Sequence, residues 1–320
     1  MKAAFVAVVG RPSAGKSTLV NCLCGAKVSI VGNVPQTTRN AIRGIVHHER
    51  GQLVFIDTPG RHSSEKKINK KLMEVSQRAL NESDLVLYVL DTTRAPGEEE
   101  IELAKLLVPY AEKTVAVLNK TDAPSSDCRR IVDFLSGVLP EAAGKRCLSI
   151  SAKNNEGMGP LLSMLFDMAP DSEPFYDKEY YTDQAIDFRI AEIIREQAIK
   201  RLYEELPHAL YVQVADTEFR DTVNRDSLNP VLPEKEQSAL SQDQLPSERP
   251  RLWVRAFIVV ERESQKGMVV GSGGTMIKAI RQASQKELNK IFDWKIELDL
   301  RVKTCKDWLA NDNTLRKIIG

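Results

Sequence analysis

Near the start of the chain, Gly10-Arg11-Pro12-Ser13-Ala14-Gly15-Lys16-Ser17 has the residue types and spacing to hold phosphate. Its glycines let the backbone wrap closely around phosphate oxygens. Successive N–H groups at a helix N-terminus add a fixed positive potential. Lys16 has the reach for β- and γ-phosphates, and the Ser17 hydroxyl is suited to ligate Mg²⁺. The pattern G-x-x-x-x-G-K-[ST] needs a strand before it and a helix after it. The apolar run 3–9 and the helix-compatible stretch 18–25, opening at Thr18, meet that need.

Three further loops carry chemistry, each following an apolar run. Asp57-Thr58-Pro59-Gly60 places a carboxylate where it can hold Mg²⁺ through water, beside a glycine whose N–H can approach a γ-phosphate. Asn119-Lys120-Thr121-Asp122 offers a carboxylate able to accept from both N1–H and the exocyclic amine of guanine. Adenine lacks that amine and presents an acceptor at N1, so the carboxylate would go unpaired; such sites discriminate by roughly 10⁴–10⁵. Asn119 is placed to brace loops, and the aliphatic stem of Lys120 to cover a base. Ser151-Ala152-Lys153 has a small residue that lets a backbone N–H come close to the guanine carbonyl. Each tripeptide or tetrapeptide alone reads equally as a turn; their order and placement at strand ends give them weight.

Strands and helices in alternation must position these loops. Short β-branched apolar runs at 5–9, 53–57, 85–90, 114–119 and 146–150 alternate with helical patterns near 16–25, 66–81, 97–110, 127–138 and 157–168. That spacing predicts a mostly parallel sheet with helices on both faces, its ligands at the carboxyl ends of the strands. Ile42, Gly44 and Val46 alternate with their neighbours, predicting one more strand at an antiparallel edge. The polar, proline-containing stretch 34–39 reads as a loop that orders when nucleotide binds.

Length and composition set the frame. A chain of 320 residues with 42% hydrophobic and 28% charged content suits a two-domain globular protein. No apolar run has the length of a membrane span, and the first residues lead into a strand instead of a signal peptide. The five cysteines form no C-x-x-C pair, which points to free thiols in a reducing cytoplasm. Net charge is +1, yet residues 251–306 hold twelve Lys/Arg against six Asp/Glu. That segment is a candidate anion-binding surface.

Beyond an aromatic, acidic and proline-containing linker at 171–185, the pattern changes. A helix is predicted over 186–206, strands over 209–214 and 252–260, and a flexible insertion over 220–250. Gly271-Ser272-Gly273-Gly274 then leads into a helix over 275–292 and a last strand over 294–302. A G-x-x-G loop between two helices is the clamp with which KH domains hold single-stranded nucleic acid. The order helix–strand–strand–helix–helix–strand is the type II KH arrangement. Val269, Val270, Ile277 and Ile280 can floor a groove or fill a core. Neither middle position of the loop is basic, so phosphate attraction falls to Lys266, Lys278, Arg281 and the Lys303/Lys306 end.

Together these motifs resemble the TrmE-Era-EngA-YihA-Septin-like family of bacterial small GTPases, in the branch that joins a G domain to a C-terminal KH domain. The resemblance covers nearly all of residues 3–306. It implies a G domain over 1–170, a KH domain over 186–306 and a tail over 307–320. It implies GTP as substrate, Mg²⁺ as cofactor, and slow intrinsic turnover by Lys16, Thr38 and Gly60. Ser17, Thr38 and Asp57 are the metal ligands it implies, Thr38 being preferred over Thr37 on this ground. The implied partners are small-subunit (16S) rRNA near its 3′ end and the 30S subunit during assembly, for a monomer in the cytoplasm that associates peripherally with the inner face of the membrane. Two positions depart from the family. Ser13 stands where an Asn helps bind potassium, which leaves potassium open, and Arg61 replaces a hydrophobic residue after Asp57–Gly60. A second class stays open: a membrane-associated or tRNA-directed regulatory GTPase whose second half binds lipid or protein.

Overall fold

The computed structural model describes residues 1–32, 37–60, 67–203, 206, 207, 209–220, 249–309, 311, 314, 315 and 318. Val34, Pro35, Gln36, Arg61 and nearly all of the expected 220–250 insertion lie outside the described residues. Two units emerge, Met1–Asp183 and Gln184–Ile318.

The first unit runs β1 (Lys2–Val9), α1 (Lys16–Cys24), β2 (Ile42–His48), β3 (Gly51–Asp57), α2 (Lys67–Glu82), β4 (Leu85–Asp91) and α3 (Glu98–Leu107). It continues through β5 (Thr114–Asn119), α4 (Cys128–Val138), the single turn α5 (Pro140–Ala143), β6 (Cys147–Ser149) and α6 (Met158–Met168). The sheet order is β2-β3-β1-β4-β5-β6, parallel except for the antiparallel edge pair β2–β3. Both faces are apolar because helices cover both, as continuous apolar strands require. Ala4, Val6 and Val8 pack toward α1 and α6, while Ala7, Val9, Tyr88 and Leu90 pack toward α2, α3 and α4. The expected strands and helices are all present, and the alternation at 42–46 is the antiparallel edge strand β2.

The expected linker is not a free connection over most of its length. Gln52 is buried in β3, and its side-chain oxygen accepts from the backbone N–H of Phe175 (2.8 Å) and Tyr176 (3.1 Å). Its amide donates to the Tyr176 carbonyl at 2.7 Å. Further on, the Ile45 N–H donates to the Tyr181 carbonyl at 2.9 Å, Thr182 Oγ1 donates to the Arg43 carbonyl at 2.8 Å, and Arg43 pairs with Asp183 at 2.8 Å. The Phe175 ring meets that of Phe5 at a tilt of 31°, with centroids 4.4 Å apart. The segment that suggested a linker is therefore a strap, held by β1 and β3 at Phe175 and Tyr176 and by the β2 edge at 181–183. Unpaired edge groups and exposed rings find partners there.

The second unit runs α7 (Ile186–Ile199), β7 (Leu210–Phe219), β8 (Arg251–Val260), α8 (Glu263–Val270), α9 (Thr275–Ile291) and β9 (Lys295–Thr304). Its sheet order is β7-β8-β9, with β7–β8 antiparallel and β8–β9 parallel. Leu252, Val254, Ala256, Ile258 and Val260 alternate inward on β8 and join Ile190, Ile194, Ile280 and Leu288 in one core. Helix α7 ends sooner than the apolar period suggested, but Leu202 and Leu206 still pack in that core. Trp308, expected in a tail, is fully buried: its indole N–H donates to the Ala209 carbonyl at 3.2 Å, and its ring meets Tyr211 edge-on. Its large apolar ring and single donor are both satisfied there.

Candidate active site and nucleic-acid interface

The phosphate loop follows β1, whose Ala3, Ala4, Val6, Ala7 and Val8 are fully buried. Gly15 has φ +98°, and a Cβ there would lie 2.2 Å from the Asn119 side-chain amide. At Gly10 a Cβ would lie 2.4 Å from the Val89 carbonyl oxygen. No side chain fits at either place. Helix α1 starts at Lys16, whose ammonium donates to the carbonyls of Gly10 (2.9 Å) and Arg11 (3.0 Å). Burial pushes the Lys16 pKa down to about 8, against the charges of Asp57, Glu100 and Glu99, so the side chain stays mainly cationic at neutral pH.

Ser17, Thr38 and Asp57 converge although they come from three separate segments. The Ser17 and Thr38 hydroxyls lie 2.9 Å apart, and Thr38 Oγ1 donates to Asp57 Oδ2 at 3.4 Å. Asp57 is fully buried at the end of β3, and its Oδ1 has no hydrogen-bond partner among the described residues. Burial raises its pKa, with Lys16 and the hydroxyls of Ser17 and Thr38 opposing the rise. Two hydroxyls and a buried carboxylate with an unused oxygen form a hard-oxygen donor set that fits Mg²⁺. Behind them, Thr58 Oγ1 fastens to the Val8 carbonyl at 2.8 Å, and Ser76 Oγ donates to the Pro59 carbonyl at 3.1 Å. Gly60 crosses so near Pro12 that a Cβ would sit 2.9 Å from the Pro12 Cα.

At the other end, Asn119 ties two loops together. Its amide donates to the Ala14 carbonyl (2.9 Å), and its oxygen accepts from the Ala152 N–H (3.1 Å). Ser151 Oγ donates to Asp122 Oδ1 at 2.7 Å, which orients that carboxylate and leaves Oδ2 for a ligand. Thr121 anchors the loop through its N–H and hydroxyl to the Ile150 carbonyl. Lys120 sits at φ +69° with its ammonium 2.8 Å from Asp91 Oδ2.

These segments enclose one cavity of about 670 Å³. Pro12, Ser13 and Gly15 to Thr18 line it with Thr38, Gly60, Asn119, Lys120, Asp122, Ala152 and Lys153. Gly10, Ala14, Thr58, Pro59 and Ser151 stand behind this wall, while the Arg11 side chain turns away to Glu100 (3.2 Å) and Asp91 (3.5 Å). Ile30, Val31, Gly32 and Arg94 also line the cavity. No motif in the sequence marks them, although Arg94 follows a strand end like the other site loops.

In the second unit, Gly271 ends α8 at φ +73°, and a Cβ there would meet the Met276 Cβ at 2.7 Å. Gly273 (φ +58°) and Gly274 (φ +77°) face open space. Thr275 Oγ1 donates to the Ser272 carbonyl at 2.9 Å and closes the turn. Val269 and Ile280 are core residues, whereas Val270 and Ile277 are half-buried. Lys278 is exposed on α9, and Lys266 pairs with Glu263 at 3.3 Å. Arg281 lines a second cavity of about 540 Å³ with Trp253, Gln285 and the β9 edge. Part of the positive charge read from this segment is locally paired, since Arg255 and Arg301 share Asp299 and Arg251 lies 4.0 Å from Glu297.

Residues 5–120 match a family described as 50S ribosome-binding GTPase, and residues 247–309 match the KH domain. GTPase Era of Treponema denticola is 46% identical over 318 residues, covering 99% of each chain. The chain belongs to the Era family of GTPases. GTPase Era of Borreliella burgdorferi is 39% identical over the full length of both chains. Among solved structures, Aquifex aeolicus Era bound to GDP·AlF₄⁻ aligns with a TM-score of 0.85 at 26% identity, covering 100% of this chain and 99% of that one. Era in complex with MgGDPNP and nucleotides 1506–1542 of 16S ribosomal RNA aligns with the same score at 27% identity and the same coverage. This Era-family chain is therefore a GTPase with a P-loop domain followed by a KH domain. Among the described residues no helix is long and apolar enough to cross a membrane.

Proposed function

We propose that this chain is a GTP-hydrolysing switch whose second unit binds the 3′ end of 16S rRNA and which acts in assembly of the 30S subunit. The observation that carries the reading is the full-length likeness to an Era structure that holds a GTP analogue and that stretch of RNA. The glycine loop of this chain, open at Gly273 and Gly274, supports it from the residues themselves.

In this reading Lys16 leaves the carbonyls of Gly10 and Arg11 for the β- and γ-phosphates, and backbone N–H groups of residues 13–18 enclose the rest. Ser17 and Thr38, with Asp57 acting through water, would hold Mg²⁺, which would supply charge neutralisation at the phosphates. The Gly60 N–H faces the γ-phosphate, while Asp122 takes the guanine N1–H and amine edge. Lys120 covers the base, Asn119 braces the two ends of the site, and Ser151-Ala152-Lys153 faces the guanine carbonyl. None of these residues is placed as a general base. Lys16 and backbone donors supply the catalysis by charge stabilisation, which makes turnover slow. In the second unit, Gly271 to Gly274 grip the RNA backbone while Lys266, Lys278 and Arg281 attract its phosphates.

The test is filter binding of a 3′-terminal 16S oligonucleotide with GDPNP or GDP bound. A switch requires different RNA affinity in the two states. Equal affinity would remove the switch, and preference for anionic vesicles over the oligonucleotide would remove the RNA reading.

A further inference from the structure

Asp91 ends β4, directly opposite Asn119 in the β4–β5 register. Its side chain is 2% exposed, and both oxygens are engaged. Oδ1 accepts from the N–H (2.9 Å) and hydroxyl (2.6 Å) of Thr93, which fixes the carboxylate plane. Oδ2 accepts from Lys120 at 2.8 Å and lies 3.5 Å from the Arg11 guanidinium. Arg11 is itself held by Glu100, its Nε lying 3.2 Å from a carboxylate that is 3% exposed.

Two observations give this cluster a direction. Lys120 occupies a left-handed backbone conformation, which is unfavourable for a non-glycine residue and persists only when its surroundings hold it. Arg11 also presents its carbonyl to Lys16 at 3.0 Å, so a movement of Arg11 reaches the phosphate-binding ammonium. Asp91 reaches the base loop through Lys120 and the phosphate loop through Arg11. Burial works against its ionisation, but the hydrogen bonds of Lys120 and Thr93 outweigh that and keep it a carboxylate.

We infer that Asp91 is a positioning residue that sets Lys120 against the purine and ties it, through Arg11, to the phosphate loop. Guanine nucleotide affinity then depends on a carboxylate that touches no nucleotide atom. The inference rests on Asn119–Asp122 being the purine loop.

The test is a double-mutant cycle read by dissociation of a fluorescent GDP analogue from the full chain. Asp91→Asn and Lys120→Met should each weaken binding about tenfold, within the range for coupled contacts. Because Asp91 acts in part through Lys120, the double variant should lose clearly less affinity than the product of the two single losses. A merely structural aspartate would lower thermal stability and cost the same affinity in both backgrounds, and that additive result overturns the inference. If Asp91→Asn does not fold, the cycle of Arg11→Met with Lys120→Met replaces it; coupling is expected and additivity again overturns. Failure of the purine loop itself is read separately, from the base preference of Asp122→Asn. A base switch there together with an additive cycle would leave the loop standing and remove only the role of Asp91.

Discussion

The side-chain amide of Asn119 donates to the carbonyl oxygen of Ala14 at 2.9 Å, joining the loop after β5 to the phosphate loop across the core of the sheet. Its other atom holds the Ala152 N–H, and Gly15 is bare because that amide fills the space. Asn119→Ala should remove both bonds and leave a buried carbonyl and N–H unsatisfied. The expected loss is on the order of 2–4 kcal/mol in nucleotide affinity. Isothermal titration with GDP measures it; a change under threefold would mean the brace is dispensable.

Asp122→Asn should exchange guanine for xanthine. The carboxylate only accepts, whereas an amide can donate to the xanthine O2. Competition between GDP and XDP reads the preference, and a variant that still favours GDP would place the base elsewhere.

Aspartate at both Gly273 and Gly274 should abolish binding of a 16S oligonucleotide. A Cβ at either position meets no atom within 4 Å, and although both have left-handed φ, aspartate is among the residues that tolerate it. Gly271 is the poorer target, since its Cβ would strike Met276 and confound binding with folding. Filter binding with GDP affinity as the folding control decides; retained RNA would argue against the clamp.

Glu100→Gln should change how stability depends on pH. Burial raises the Glu100 pKa from 4.5 to about 7, with Arg11 opposing and Glu99 and Asp91 reinforcing the rise. A folded-state pKa above the unfolded one favours the protonated native state below about pH 4.5, and that advantage is lost as pH rises to about 7. The melting temperature of the variant should therefore gain on that of the parent between those limits and run parallel to it above them. A difference that stays constant from pH 5 to pH 8 would contradict the shift.

Much of this architecture is legible in the residues alone. The apolar runs fix β1, β3, β4 and β5 because strands buried on both faces tolerate little else, and the loops at their ends stand out as polar and glycine-bearing. Asp57, Asn119 and Asp122 are singled out in this way. Arg94 and the Ile30–Gly32 side of the cavity are not, because nothing in their types or spacing distinguishes a cavity wall from any other loop. The 171–183 segment misleads for a physical reason. Aromatic, acidic and proline residues mark a segment without its own regular structure, but they do not say whether its backbone finds partners. Gln52, a polar residue inside an otherwise apolar strand, was the local sign that it does. Charge counting gives the net excess but not its placement, since it does not reveal that Arg255 and Arg301 both pair with Asp299.

The strap also bears on how the molecule can be dissected. By pairing the Tyr181 carbonyl with the Ile45 N–H and the Thr182 hydroxyl with the Arg43 carbonyl, it caps the outermost strand, whose free backbone groups would otherwise template association with another polypeptide. A fragment ending at residue 170 would bare that edge and expose Phe5, inviting precipitation. Truncation after Asp183 keeps the cover in place, which makes it the better choice for preparing the nucleotide-binding half by itself.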